Sequence, residues 1–345
     1  MGVYHREINE PINCLVNTEG LFNFGTYNTA IPKINMLDAK NPLGFCNCNW
    51  FKSFRLKEWE AFQLGNDEVF VFGVVYNAKI AVFILLIIYD KTNDQTYKYQ
   101  KIVNPSKAIV ASGMLDTYTN CSTSGYGLFF HNNLEEDEID IFAKFTSSDK
   151  LPEAVIDITA YHITQPIVVC HPLGENRAMY SHKNFMPVEG YMFLKDREIA
   201  FDPDKAYMMI DDHKGYYPWN LKYDWVMGCG YDNKGQLFGF NLTHNQVIDP
   251  EKYNENCIWL DGTMNVLPPI NVYMGKKVWI IKDEYGMVDL RFYPVTEASI
   301  KFNLLLICSD YEAPIGRFEG FFDLDGRYIQ IGECFGMGEK TRYRI

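Results

Sequence analysis

Tyr207-Met208-Met209-Ile210-Asp211-Asp212-His213-Lys214-Gly215-Tyr216-Tyr217-Pro218-Trp219 leads from an apolar strand through two carboxylates and a histidine into a Lys-Gly turn, then opens a second strand. That second strand, residues 219–231, sets Trp219, Leu221, Tyr223, Trp225, Met227, Cys229 and Tyr231 against Asn220, Lys222, Asp224, Val226, Gly228 and Gly230. A period of two is what a pleated strand requires. Asp232-Asn233-Lys234-Gly235 makes a hairpin turn and residues 236–243 return. Gly228, Gly230 and Gly239 leave a smooth row where a ligand or another backbone can come close.

The same pattern extends in both directions. Upstream, short apolar runs at 69–76, 80–89, 108–114, 126–132, 139–145, 154–163 and 167–170 are divided by polar turns, the sequence form of antiparallel pairing. Residues 54–62 begin as a strand, with Phe54 and Leu56 alternating against Arg55 and Lys57, and change phase at Glu58 and Trp59. Downstream, runs at 277–283, 287–293, 300–309, 316–323 and 328–333 repeat the theme, the last two joined at Asp325-Gly326. Apolar residues seldom recur at helical spacing, so no long amphipathic helix is expected. The fold predicted is all-β, two closed antiparallel barrels packed together, because closure removes unpaired edges. One large β-sandwich is the alternative. Residues 1–50, rich in Asn, Pro and Gly, are expected to be an extended arm. Residues 51–170 form the first barrel and 171–345 the second, which carries the main motifs, the boundary falling where Gln165-Pro166 and His171-Pro172 interrupt the strands.

Composition narrows the function. Of the 345 residues 15% are aromatic, which suits strands, and a net charge of −12 gives no basic stripe for nucleic acid. The acidic run from Glu135 to Asp140 reads as a solvated edge. Nine cysteines, with a polar start at residues 1–11, point to reduced thiols in a cytoplasm. Only Cys46 and Cys48 lie close together, and no second pair has zinc-site spacing; Cys121, Cys170, Cys229, Cys257 and Cys308 read as small core residues. The longest apolar run, 80–89, is too short for a membrane span of about 20 residues. No dinucleotide or phosphate loop, nucleophile elbow or zinc-peptidase motif is present, so no metal or cofactor is expected.

Several motifs together resemble the family called domain of unknown function 2804. They are Arg55-Leu56-Lys57-Glu58-Trp59, Asn176-Arg177, His182-Lys183, Asp211 through Pro218, Trp225, Gly239 with Asn241-Leu242, Glu255-Asn256, Trp259-Leu260-Asp261-Gly262 and Gly338-Glu339. That family is remotely similar to calycin-like two-barrel proteins that include a carotenoid hydratase and tocopherol cyclase. The resemblance implies a pair of lipocalin-like barrels and, in some relatives, cofactor-free acid chemistry on apolar substrates. Asp211-Asp212-His213-Lys214-Gly215 stands where the family pattern is Asp-Trp-Ser-Arg-Gly.

The chemistry-bearing residues are then these. Asp211 and Asp212 point to opposite faces of a strand, so only one enters a barrel, where burial would keep it protonated and ready to act as an acid. His213 or His182 is the candidate partner, with Tyr180 sharing the His182 face. Lys183 and Arg177 would bind an anionic group, Tyr217 and Trp219 would form an aromatic wall, and Asn241, Glu255 and Asn256 are polar groups awkward to bury without a partner. Each has a plain structural alternative: a turn cap for either aspartate, a surface place for His213, a barrel-end salt bridge for the cations, core for the aromatics. The function expected is a cofactor-free acid/base enzyme of hydratase, cyclase, isomerase or lyase type acting on an apolar or amphiphilic small molecule in a barrel pocket. A non-catalytic lipocalin-like carrier and a carbohydrate-active hydrolase or lyase are the alternatives.

Overall fold

The computed structural model describes residues 4–45, 47–296, 299–304 and 307–344; Cys46 and the side chain of Cys308 lie outside the described residues. The chain is almost entirely antiparallel β-structure, arranged as a 14-stranded and an 11-stranded sheet. Each sheet curls into a barrel-like body, one in each of two compact units. The first unit holds Glu10–Cys170 and Glu175–Tyr216, the second Met1–Asn9, His171–Gly174 and Tyr217–Ile345.

The expected boundary at residue 170 would place the strands Arg177–Leu194 and Tyr207–Gly215 with the C-terminal half. Their pairing places them with the N-terminal one. Tyr207–Gly215 bonds Lys57–Gly65 along one edge and Arg177–Leu194 along the other, so the chain completes its first sheet before Tyr217 starts the second. The prolines read as a break lie in or beside the strand Ile167–Gly174.

Curling of the first sheet follows from contacts between strands far apart in its order. Phe62 meets Phe130 edge to face at 5.8 Å, and Tyr99 lies 5.4 Å from Phe145. The interior so enclosed is apolar: Phe62, Leu64, Met186, Met208, Ile210 and Phe130 belong to one buried cluster. In the second unit Phe240 meets Phe318 at 5.0 Å. Gly228 faces Gly336 across the ladder, and a Cβ on Gly230 would collide with the Glu333 carbonyl, so this smooth row serves close backbone approach within the unit. Asp261-Gly262 and Asp325-Gly326 are two-residue hairpin turns with both residues left-handed, at φ 55° and 71° and at 51° and 90°.

Two local expectations change. Residues Asn49–Arg55 form a short helix, so the following strand begins at Lys57 and the alternation read from Phe54 is not a strand signal. The N-terminal segment is not an extended arm: Leu15, Val16, Phe22, Tyr27, Ile31 and Met36 are buried with Leu56, Ala178, Tyr180 and Tyr216. Asparagine side chains, its own Asn35 and Asn176 from the turn before the strand Arg177–Leu194, supply hydrogen bonds that its irregular backbone lacks. Asn35 both accepts from Val16 N and donates to Val16 O, and Asn176 accepts from Phe22 N while donating to the carbonyls of Gly20 and Lys40. Asn176→Ala is therefore expected to cost about 1–3 kcal/mol. The loss should appear in hydrogen exchange as faster opening of residues 15–40, with the barrel strands less affected.

Candidate functional site

Three neighbouring strands carry most of the first unit's buried charged side chains. Across their ladder Asp211 stands opposite Ala61 and Lys183, Asp212 opposite Glu60 and His182, and His213 opposite Trp59 and Ser181. Directly opposite residues share a face and successive residues alternate. The two aspartates therefore head two separate clusters.

On the outer face, Lys183 is 1% exposed and its ammonium reaches Ser181 Oγ at 2.8 Å, Asp211 Oδ1 at 2.9 Å and His213 Nε2 at 2.9 Å. Two hydrogen-bond partners and one carboxylate ion pair thus surround the ammonium. A lysine proton directed at His213 Nε2 requires that nitrogen to be the acceptor, leaving the ring proton on Nδ1. Asp211 Oδ1 lies 3.4 Å from the same nitrogen, and the Trp59 indole stacks on the imidazole at 4.4 Å and 10°. Carboxylate, ammonium and imidazole are within proton-transfer reach of one another. The Asp211 side chain is 11% exposed, so the cluster is buried without being sealed.

On the interior face the row Glu60–Asp212–His182 lies beside the row Glu58–Lys214–Tyr180. Lys214 Nζ bonds Asp212 Oδ1 at 2.5 Å and sits 5.8 Å from the Tyr180 ring centre. Glu60, Asp212, His182 and Tyr180 are all fully buried. Burial pushes the Glu60 carboxyl up to about 8, with the Asp212 charge adding to it and Thr119, Asn132 and Lys214 pulling back. Burial also raises Asp212, against the opposing pull of Lys214, and raises the Tyr180 phenol. His182 is driven down to about 3, first by burial and then by the charges of His162, Lys183 and Lys214. At neutral pH this face thus holds a protonated carboxylic acid and a neutral imidazole.

The remaining candidates are not gathered here. Arg177 stands six residues from Lys183, roughly 20 Å along the strand, and its charge acts on the buried Arg55. In the second unit Tyr217 is buried, but Trp219 is 61% exposed and forms no enclosed wall. Asn241 accepts from Trp225 Nε1 at 2.6 Å and donates to the Glu255 carbonyl at 2.7 Å. Asn256 accepts from Thr243 N at 2.6 Å and donates to the Pro268 carbonyl at 2.8 Å, while its own carbonyl takes Arg6. Burial lowers Arg6, and the Glu255 charge is among the groups that oppose this. These groups tie a strand to a loop. Glu60, Trp59 and Ser181 are the site residues sequence reasoning passed over. The signal for Glu60 is a carboxylate at the same parity as Phe62 and Leu64.

Lys183→Met should cost about 3–5 kcal/mol in urea unfolding, because it leaves Asp211 buried without its ammonium, and the double change with Asp211→Leu should recover much of the loss. The Glu60 shift predicts a pH effect. The folded chain keeps this proton up to about 8, whereas the unfolded chain releases it near ~4.3, so Glu60 contributes stability at low pH that is lost as pH rises through that window. His182 has the opposite sign, contributing stability above ~6.5 that is lost as pH falls toward about 3. The clean comparison therefore runs from pH ~6.5 to 8, where the native chain should lose stability relative to Glu60→Gln in parallel denaturation curves.

Comparison with known proteins bears on the fold and the family. Kievitone hydratase from Nectria haematococca is similar in structure, with a TM-score of 0.53 at 14% identity, covering 83% of this chain and 88% of that one. CghA bound to Sch210972 is similar with a TM-score of 0.54 at 8% identity, covering 84% and 88%. At these identities the likeness shows the calycin-like, two-barrel fold. No curated protein sequence matches significantly. No helix among the described residues is long and apolar enough to cross a membrane, and among them no group of three His, Cys, Asp or Glu is placed to hold a metal. The model of the family described as domain of unknown function 2804 matches residues 5–345, and the chain belongs to that family.

Proposed function

We propose that the chain is a cofactor-free acid/base enzyme of hydratase, cyclase, isomerase or lyase type, acting on an apolar or amphiphilic small molecule, with Asp211, His213 and Lys183 as the reacting groups. The observation that carries the reading is the meeting of these three side chains at hydrogen-bond distance beneath Trp59. A substrate carbonyl or alkene placed against the cluster takes a proton from the Lys183–His213 pair, which becomes neutral, and the Asp211 carboxylate steadies the positive charge that forms on the substrate. Trp59 supplies an apolar, π-faced surface for the substrate or for positive charge developing on it. That a hydratase shares the fold supports the class of reaction. The reacting groups lie on the outer face of the barrel sheet rather than in its interior. The buried free thiols of Cys121, Cys170, Cys229 and Cys257 support a reducing, cytoplasmic setting.

A sugar-cleaving reading is less well supported, because Asp211 and Asp212 face opposite sides of one sheet and cannot flank the same bond. The carrier reading is separated by labelling. Enzymes of this class that protonate carbon leave deuterium on their product in D2O. Incubated with a metabolite extract in D2O, the native protein should label one compound, and Asp211→Asn and His213→Gln should slow that labelling about 10²–10⁴-fold. Should nothing be labelled while one apolar compound copurifies intact with the native chain and both variants, the protein is a carrier.

A further inference from the structure

The interior face of the same three strands is not used by this reaction, and it contains an accumulation of polar atoms without protein partners. Oδ2 of Asp212, both ring nitrogens of His182, the Tyr180 hydroxyl and Oδ1 of Asn132 are buried and accept or donate no hydrogen bond within the chain. Glu60, Asp212 and His182 form one cross-strand row, Tyr180 stands in the next, and Thr119 and Asn132 reach the Glu60 carboxyl as hydrogen-bond partners from across the barrel. Buried polar atoms are nearly always satisfied, and each one left bare costs roughly 1–3 kcal/mol. Five on one layer is too large a penalty to be incidental.

The layer is bounded by apolar surface. Toward the barrel centre the next row is Phe62, Ile210 and Asn184, whose amide is taken up by Thr164, and Phe130 closes on Phe62 at 5.8 Å. Toward the other end Tyr180 joins the apolar cluster built by residues 15–39. Glu58, on the same face two residues before Glu60, is 17% exposed and ion-paired with Lys79, so the layer lies one row, about 7 Å, beneath an accessible rim.

We infer that this layer is a second binding site, for a neutral molecule whose head group both donates and accepts hydrogen bonds, a hydroxyl or a primary amide, on a small apolar body. The charges balance without a ligand ion: Asp212 is neutralised by Lys214, Glu60 keeps its proton and His182 stays neutral. A charged guest would have to be desolvated with no counter-charge left to meet it. Among the unpartnered atoms Asp212 Oδ2, Asn132 Oδ1 and one His182 nitrogen are acceptors, and the Tyr180 hydroxyl and the other His182 nitrogen are donors. An amide or hydroxyl complements that set, and its apolar body lies against Phe62, Ile210 and Phe130.

The test is calorimetric titration of the full chain with four probes of one size: benzyl alcohol and benzamide, which are neutral, and benzoate and benzylamine, which are charged. The neutral pair should bind, and the charged pair should bind at least about tenfold more weakly. Tyr180→Phe, which removes only a hydroxyl, and His182→Leu should each weaken the neutral probes about tenfold, the worth of one buried hydrogen bond. Asp211→Asn, on the other face, should leave their affinity within about twofold, which separates this site from the proposed reacting centre. Equal binding of charged and neutral probes overturns the inference, as does neutral-probe affinity that survives Tyr180→Phe. A crystal soaked in benzamide that shows only ordered water bonded to Glu60, Tyr180 and His182 overturns it as well.

Discussion

The register joining residues 57–65, 207–215 and 177–194 is the constraint on which the chemistry depends. It sets Asp211 beside Lys183 and Asp212 beside Glu60 and His182. A slip of one residue would move every side chain of the middle strand to the other face and place Asp211 among Phe62 and Phe130. What holds the register is the apolar end of the same ladder, where Ile210 opposes Phe62 and Met208 opposes Leu64 and Met186, all within the dry interior. Apolar rows fix the alignment, and polar rows inherit their geometry from it.

Part of this was legible in the residues. Asp211-Asp212 in a strand must diverge, and the alternation that places Tyr180 with His182 follows from period alone; the register agrees with both. The hairpin turns were equally readable, since Asp-Gly is the pair that tolerates two left-handed residues. Glu60 was hidden by local context. The helix 49–55 runs directly into its strand, so alternation counted from Phe54 begins in the wrong secondary structure. Once Lys57 is taken as the start, the inward side of the strand reads Glu58, Glu60, Phe62, Leu64, and a carboxylate beside two core residues stands out.

Other features could not be read locally because they are decided by distant partners. Nothing in 207–215 says that its neighbour is 57–65, and that pairing is what moves the division of the chain from residue 170 to Tyr216. The Asn-rich N-terminal stretch has the composition of a loose arm. Asn35 within it and Asn176 from a distant turn instead replace missing backbone partners, so a segment with almost no regular structure is still a buried core element. Trp219 shows the converse, an aromatic in strand phase that ends at the surface because it precedes the first paired residue of its strand.

The two faces differ in how they settle their charges. On the outer face the Lys183 ammonium bonds a hydroxyl and an imidazole and is ion-paired with the Asp211 carboxylate, so its charge is met within the cluster. On the interior face Lys214 satisfies one oxygen of Asp212 and leans on a phenol ring, and the second Asp212 oxygen, the imidazole and the hydroxyl around it stay unmatched. Packed apolar residues in that row would be at least as stable as an incomplete polar network, since replacing buried ionic groups by well-packed apolar ones is often neutral or stabilising. The barrel interior shows that this chain can build such rows, with Leu64, Met208 and Met186 two rows below. Its failure to do so higher up places the interior polar layer with features kept for recognition rather than for stability.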